Sequence, residues 1–179
     1  MTTMMKILLI IGLLIIGTKS SLACSCEEPG SIEESFNYSD AVFDGKVISK
    51  SFVTFAESIR IEAADSMRQN LDENKLNLFD SEFIMKVEFE ITKCYKGNIS
   101  NDTIVIYTTR TSASCGYPGF EIGHDYIVYG STKSYAFWTF FKNTDDYVIE
   151  KQNTFWTNQC TRTEEYNYTE AKELEKLME

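Results

Sequence analysis

Five cysteines (Cys24, Cys26, Cys94, Cys115 and Cys160) and one histidine, His124, carry most of the nucleophilic and soft-ligand chemistry open to this 179-residue chain. A single imidazole removes most hydrolase arrangements and multi-histidine metal sites, because general-base work and zinc ligation both lean on that ring. His124 stands beside Asp125, but no serine or cysteine nucleophile is marked next to it, so a turn entering a strand explains the pair better than a catalytic dyad does. The chain therefore reads as a binding protein and not as an enzyme. A zinc site built on Cys24-Ser25-Cys26 is disfavoured, since the remaining cysteines are isolated and outside CxxC-type spacings. In an oxidising compartment disulfides are the default, and an odd count leaves one thiol over. Cys24 and Cys26 cannot easily bond each other, so each reaches a distant partner among Cys94, Cys115 and Cys160. Cys94 falls in an alternating strand pattern on the face opposite Val87, Phe89 and Ile91, where a small packed or half-exposed residue is the simpler reading.

The compartment is read from the start of the chain. Residues 1–23 place a cation, Lys6, before the apolar run from Ile7 to Gly17 and end in small residues through Ala23, the layout of a cleaved export signal. The mature chain then begins at Cys24, with 15 cations against 27 anions. Cys24 could alternatively be acylated as a lipoprotein anchor, although Ser21 stands where such a site wants a branched apolar residue. No other stretch approaches the roughly 20 apolar residues of a membrane span. The full chain carries 17 Lys and Arg against 27 Asp and Glu, a formal net charge of -10, which offers no electrostatic footprint for nucleic acid.

Several elements must position these cysteines. Ser31-Ile32-Glu33-Glu34 is a capping box that starts a short helix running to about Tyr38. Strands follow at Ala41 to Ile48, interrupted at Gly45, at Phe83 to Tyr95, at Thr103 to Thr109, at Asp125 to Gly130 and at Thr154 to Gln159. The Lys96-Gly97-Asn98 turn joins the second and third as a hairpin. Residues 56–80 read as a long loop with a helical insert around Ala63 to Leu71, a solvated excursion from the sheet. Tyr135 to Phe141 packs Phe137, Trp138, Phe140 and Phe141 into seven residues, which suggests a strand buried on both faces. A helix over residues 169–178 closes the chain. Five short strands with flanking helices imply a mainly β protein, a small closed or partly closed barrel in one domain over residues 24–179.

Beyond periodicity, Cys24-Ser25-Cys26 followed by Phe36-Asn37-Tyr38-Ser39-Asp40-Ala41-Val42-Phe43-Asp44-Gly45-Lys46-Val47 resembles the tissue inhibitors of metalloproteinases, whose N-terminal domain opens CxC and continues F-x-x-A-D-V-V-x-x-K-V. Tyr95-Lys96-Gly97, Thr111-Ser112-Ala113-Ser114-Cys115-Gly116, Gly123-His124-Asp125-Tyr126-Ile127-Val128 and Cys160 fall in that family's order. The resemblance implies a five-stranded OB-fold barrel of the netrin-like type, with Cys24 bonded to Cys115 and Cys26 to Cys160. It further implies an exported, monomeric metalloprotease inhibitor without a cofactor of its own. In such an inhibitor the Cys24 main-chain amine and carbonyl chelate the catalytic zinc of a target zinc endopeptidase, and Ser25 enters its specificity pocket. The protease-binding residues would be Cys24, Ser25, Cys26, Glu27, Thr111, Ser112, Ala113, Ser114 and Cys115. Two departures stand out: Asn37 occupies the position of a family disulfide, and Glu27 and Glu28 replace apolar or small residues. The alternative is a non-inhibitory netrin-like module that binds another protein through its acidic surface or through Tyr135 to Phe141.

Overall fold

The computed structural model describes residues 24, 26, 29–141, 151 and 153–178. Leading in is helix α1 (Ile32–Tyr38), whose N-cap Ser31 accepts from the Glu34 amide while the Glu34 carboxylate reaches back to the Ser31 amide. Lys96 Nζ donates to the carbonyls of Phe36 and Asn37 at the other end of that helix, at 2.7 and 2.9 Å, where the helix dipole favours a cation.

Six strands make one mixed, open sheet in the order β5-β3-β2-β1-β4-β6. They are β1 (Ala41–Val53), β2 (Ile84–Lys96), β3 (Thr103–Thr109), β4 (Asp125–Gly130), β5 (Thr154–Trp156) and β6 (Glu164–Glu165). All neighbours are antiparallel except β3 and β5, which are parallel. Strand β1 changes register against β2 at Val42/Phe43, Asp44/Gly45 and Val47/Ser49, and each shift bends the ribbon. At Gly45 a Cβ would stand 2.6 Å from the Glu90 carbonyl oxygen, so only glycine admits the approach of the two strands there. Just past β4, Ser131 forms an isolated bridge to Trp156 of β5, its N–H donating to the Trp156 carbonyl at 2.8 Å and its carbonyl accepting at 2.7 Å.

One face of the sheet holds the first core, built from Phe43, Val87, Phe89, Ile106, Tyr126 and Phe155 among others, which draws on β1 to β5. On the opposite face, Val42, Tyr95, Ile127 and Tyr129 pack against Ala171 and Leu174 of the C-terminal helix. That helix, α6, spans Tyr168–Leu177 and is capped by Asn167.

A second aromatic core corrects two sequence expectations. Residues 56–80, expected as a solvated loop with one helical insert, belong instead to three helices, α2 (Phe55–Ser58), α3 (Ile61–Arg68) and α4 (Glu73–Phe79), with buried residues on each. Phe55 of α2, Ile59 in the extended link, and Ala63 and Met67 one turn apart on α3 together make one buried stripe. The stripe packs against Tyr135–Phe141, which is a helix, α5, and not a doubly buried strand. Phe137 and Phe141, one turn apart, are buried on its inner face and meet Phe55 edge-on at 5.2 and 5.0 Å between centroids. Trp138 points outward, 71% exposed. Smaller differences are a β1 that runs on to Val53, a fifth strand that stops at Trp156, and the added sixth strand. The export segment, residues 1–23, lies outside the described residues. Among the described residues no helix is long and apolar enough to cross a membrane.

Candidate functional site

Two disulfides gather four of the five cysteines: Cys24 is bonded to Cys115 and Cys26 to Cys160, with Cα separations of 5.0 and 5.1 Å. These are the pairs that the family resemblance implies. The bonds lie against each other: Cys24 Sγ is 3.7 Å from Cys26 Sγ and 3.8 Å from Cys160 Sγ. The sulfurs of Cys24, Cys115 and Cys160 come within 4.8 Å of one another, a metal-like spacing, but all three are consumed in disulfides and offer no thiolate. Cys94 is free and half-buried. Burial pushes its thiol up, against the Lys96 carbonyl hydrogen bond, which leaves it little thiolate at neutral pH.

The strand β3 delivers the chain into a tight loop that ends at Cys115. Ser112–Ser114 make one turn of 3-10 helix, and Cys115 caps it in the left-handed region at φ 62°. The Cys115 amide donates to the Ser112 carbonyl at 3.0 Å and the Gly116 amide to the Thr111 carbonyl at 2.9 Å. Gly116 follows because a Cβ there would fall 1.8 Å from the Thr109 carbonyl oxygen. From the far side, the Gln159 amide donates to the Cys115 carbonyl at 3.0 Å and its side-chain amide to the Ser112 carbonyl at 3.1 Å. These bonds leave Thr111, Ser112 and Ala113 exposed as a ridge beside Cys24, while Ser114 and Cys115 are half-buried beneath it.

A groove of about 480 Å³ runs on from the second disulfide, lined by Cys26, Pro29, Tyr38, Ser131, Cys160 and Arg162. Its floor is tied down by charge. Arg162 donates to both carboxylate oxygens of Glu170, at 3.2 and 2.7 Å, and to the Gly30 carbonyl at 3.1 Å, while the Tyr129 hydroxyl donates to Glu170 at 2.6 Å. Glu170 is only 3% exposed. Burial alone would push its carboxyl up, but the Arg162 and Tyr129 hydrogen bonds outweigh it and hold the group below the ordinary glutamate range.

Of the residues assigned to protease binding, the structure brings together Cys24, Cys26, Thr111, Ser112, Ala113, Ser114 and Cys115; Ser25 and Glu27 lie outside the described residues, as does Glu28. His124 is exposed in the turn before β4, 3.6 Å from a Glu121 oxygen and 3.8 Å from a Glu165 oxygen. Sequence reasoning missed Thr109, Gly116, Tyr135 and Gln159 as supports of the ridge. Only Gly116, directly after a cysteine in a turn, carried a signal that could have marked it. The arrangement presents main-chain atoms and the short side chains of Thr111, Ser112 and Ala113 at the surface beside Cys24. Against models of known protein families the chain finds no match, and it finds none among curated proteins.

Proposed function

We propose that this protein is an exported inhibitor of zinc endopeptidases, similar to the tissue inhibitors of metalloproteinases, and that the chain is cleaved immediately before Cys24. The observation that carries this reading is the Cys24–Cys115 disulfide, which fastens Cys24 against the exposed ridge of Thr111, Ser112 and Ala113. Cleavage there would give Cys24 a free α-amine one residue-length from its carbonyl oxygen, and the two together close a five-membered chelate on a metal. A catalytic zinc keeps one coordination position open for water, and an amine with its carbonyl can take that position and expel the water. Fixing the terminus beforehand lowers the ordering cost of such an encounter. The zinc belongs to the partner; the inhibitor contributes no cofactor. Ser25 follows into the first specificity pocket, with Glu27 and the ridge residues Thr111 to Ser114 flanking the cleft.

In the same reading the open sheet corresponds to a partly closed OB-fold barrel of the netrin-like type. Supporting it are the parallel β3–β5 pair, the three bends of β1, and the Ser131–Trp156 bridge, which links the outermost strand back to the end of β4.

The test is one added residue before Cys24 of the mature chain. It converts the amine to an amide nitrogen without an available lone pair and fills the space beside the metal. Affinity for a susceptible zinc endopeptidase should fall by orders of magnitude while thermal stability hardly moves. Equal inhibition by both forms would refute chelation, and inhibition by neither across a panel would favour the non-inhibitory binding module, for which the exposed Trp138 on α5 is the natural contact.

A further inference from the structure

The second aromatic core has a mechanical link to the ridge. Tyr135, the first residue of α5, packs against that core with its ring, and its hydroxyl lies 2.7 Å from Thr109 Oγ1 and donates to the Ser114 carbonyl at 3.2 Å. Thr109 Oγ1 donates to the same carbonyl at 2.9 Å. Ser114 Oγ sits 2.9 Å from Thr109 Oγ1, 3.0 Å from Thr111 Oγ1 and 2.8 Å from the Thr111 carbonyl. Four hydroxyls thus run from the helix to the residue preceding Cys115. Ser114 O, which two of them share, belongs to the peptide unit whose nitrogen is the Cys115 amide. Burial pushes the Tyr135 phenol up, so it remains a donor across the physiological range.

The other end of the lever is equally well fixed. Phe137 and Phe141 of α5 interlock with Phe55 and Phe79, and Phe137 meets Trp156 of β5 at 5.9 Å. Helix α5 therefore cannot slide without disturbing α2, α4 and β5 together. The 54–80 insert has no residue in the ridge itself, yet its core holds the helix that holds the loop.

We propose that Tyr135 is a positioning residue for the Cys24–Cys115 ridge, through which the helical insert fixes the angle at which Cys24 is presented. The consequence for inhibition rests on the function proposed above; the positioning itself does not. With the hydroxyl removed, Thr109 Oγ1 and Ser114 O lose the single proton that Tyr135 shares between them, and the ridge should open locally without release of the aromatic core.

Tyr135→Phe keeps the ring and its packing, and Thr109→Val keeps the shape while removing the shared hydroxyl. In the mature, oxidised protein, amide hydrogen exchange at Cys115 and Gly116 should speed up about five- to tenfold in either variant, the worth of one neutral hydrogen bond. Reduction of Cys24–Cys115 by dithiothreitol should accelerate by a similar factor. The Cys26–Cys160 bond is the internal control, since Cys160 N donates at 2.7 Å to Asn158 Oδ1, outside the hydroxyl chain. A general loss of stability would speed both reductions alike and lower the melting temperature. The double variant should exceed either single one, because together the two changes strip Ser114 O of both hydroxyl donors. Unchanged exchange at Cys115 and Gly116 in both variants, or equal acceleration of both disulfides, would overturn the positioning role. Where the unaltered protein inhibits a zinc endopeptidase, Tyr135→Phe should weaken inhibition by the factor seen in exchange; unchanged inhibition would overturn the functional half alone. A protein that inhibits nothing would remove the proposed function while exchange and reduction still decide the role of Tyr135.

Discussion

Replacing Cys24 and Cys115 by serine, or Cys26 and Cys160 by serine, should destabilise the protein by nearly the same amount, although the two bonds span 91 and 134 residues. The reason is topological. With Cys26–Cys160 in place, residues 24 and 115 are already joined by a short path: two residues from 24 to 26, across the bond, then forty-five from 160 back to 115, about 47 in all. With Cys24–Cys115 in place, residues 26 and 160 are joined by the same path. Loop-closure entropy for that length is worth about 4 kcal/mol at 25 °C, whereas isolated loops of the full spans would be worth about 4.6 and 5.0 kcal/mol. Losing both bonds costs about 9 kcal/mol, which is comparable with the whole stability of a domain. At about 2–4 °C per kcal/mol for a chain of this size, each double variant should melt about 8–16 °C lower, and the fourfold variant should not fold at room temperature. Calorimetry and urea titration of the four forms, all carrying Cys94→Ser so that no thiol can exchange, measure this directly. A gap above about 1 kcal/mol between the two double variants would refute the shared-path argument. So would a fourfold variant that melts like either of them.

Two further outcomes concern protons. In the proposed function, inhibition should weaken as pH falls, because only a neutral amine could ligate zinc; with an ordinary α-amino pKa of about 7.7–8.0, the inhibition constant should rise about tenfold per pH unit below that range. An inhibition constant that stays flat down to mildly acidic pH, once the protease's own titration is corrected for, counts against amine coordination. Glu170→Gln should cost about 2 kcal/mol at neutral pH by weakening the charge-assisted hydrogen bonds of half-buried Arg162. The Glu170 carboxyl is depressed in the folded state, so its contribution is complete above the unfolded glutamate range and fades as pH falls through the lower folded value. The difference between Glu170→Gln and the unaltered protein should therefore shrink in acid, and a pH-independent difference would show that the carboxylate's charge is not what matters.

How much of this was legible in the chain depended on how local each signal was. Strand β4, the β2–β3 hairpin and the bulge at Gly45 were readable because alternation, a Lys96-Gly97-Asn98 turn and a lone glycine are features of adjacent residues. Helix α1 announced itself through the Ser31–Glu34 box. The α5 reading failed because five aromatics in seven positions satisfy a period of two as easily as 3.6; the discriminating residue was Ser134, whose hydroxyl accepts from the Phe137 amide at 3.3 Å and starts a helix. The insert likewise carried a capping box, Thr54 with Glu57, and a cap at Asp72. Its stripe of Phe55, Ile59, Ala63 and Met67 could not be recognised as buried without knowing that residues 135–141 would cover it.

The site shows the same division at a finer scale. Cys24 and Cys26 were conspicuous, yet spacing alone left Cys94 as eligible a partner as Cys115 or Cys160; only the order of motifs around Cys115 separated them. What separates them physically is the conformation of the loop. Cys115 adopts φ 62° at the end of a single 3-10 turn, and Gly116 lets that turn lie against Thr109, which leaves Cys115 within reach of Cys24. Cys94 instead sits within β2, opposite Phe43 of β1, its side chain turned to the Lys96 carbonyl. The supports of the ridge, Tyr135 and Gln159, come from twenty and more residues downstream, and their contribution follows from tertiary packing that no spacing in the chain encodes. A site of this kind depends less on the residues it displays than on the rigidity of what lies behind them, and here that rigidity comes from a core of aromatic side chains supplied by two distant segments.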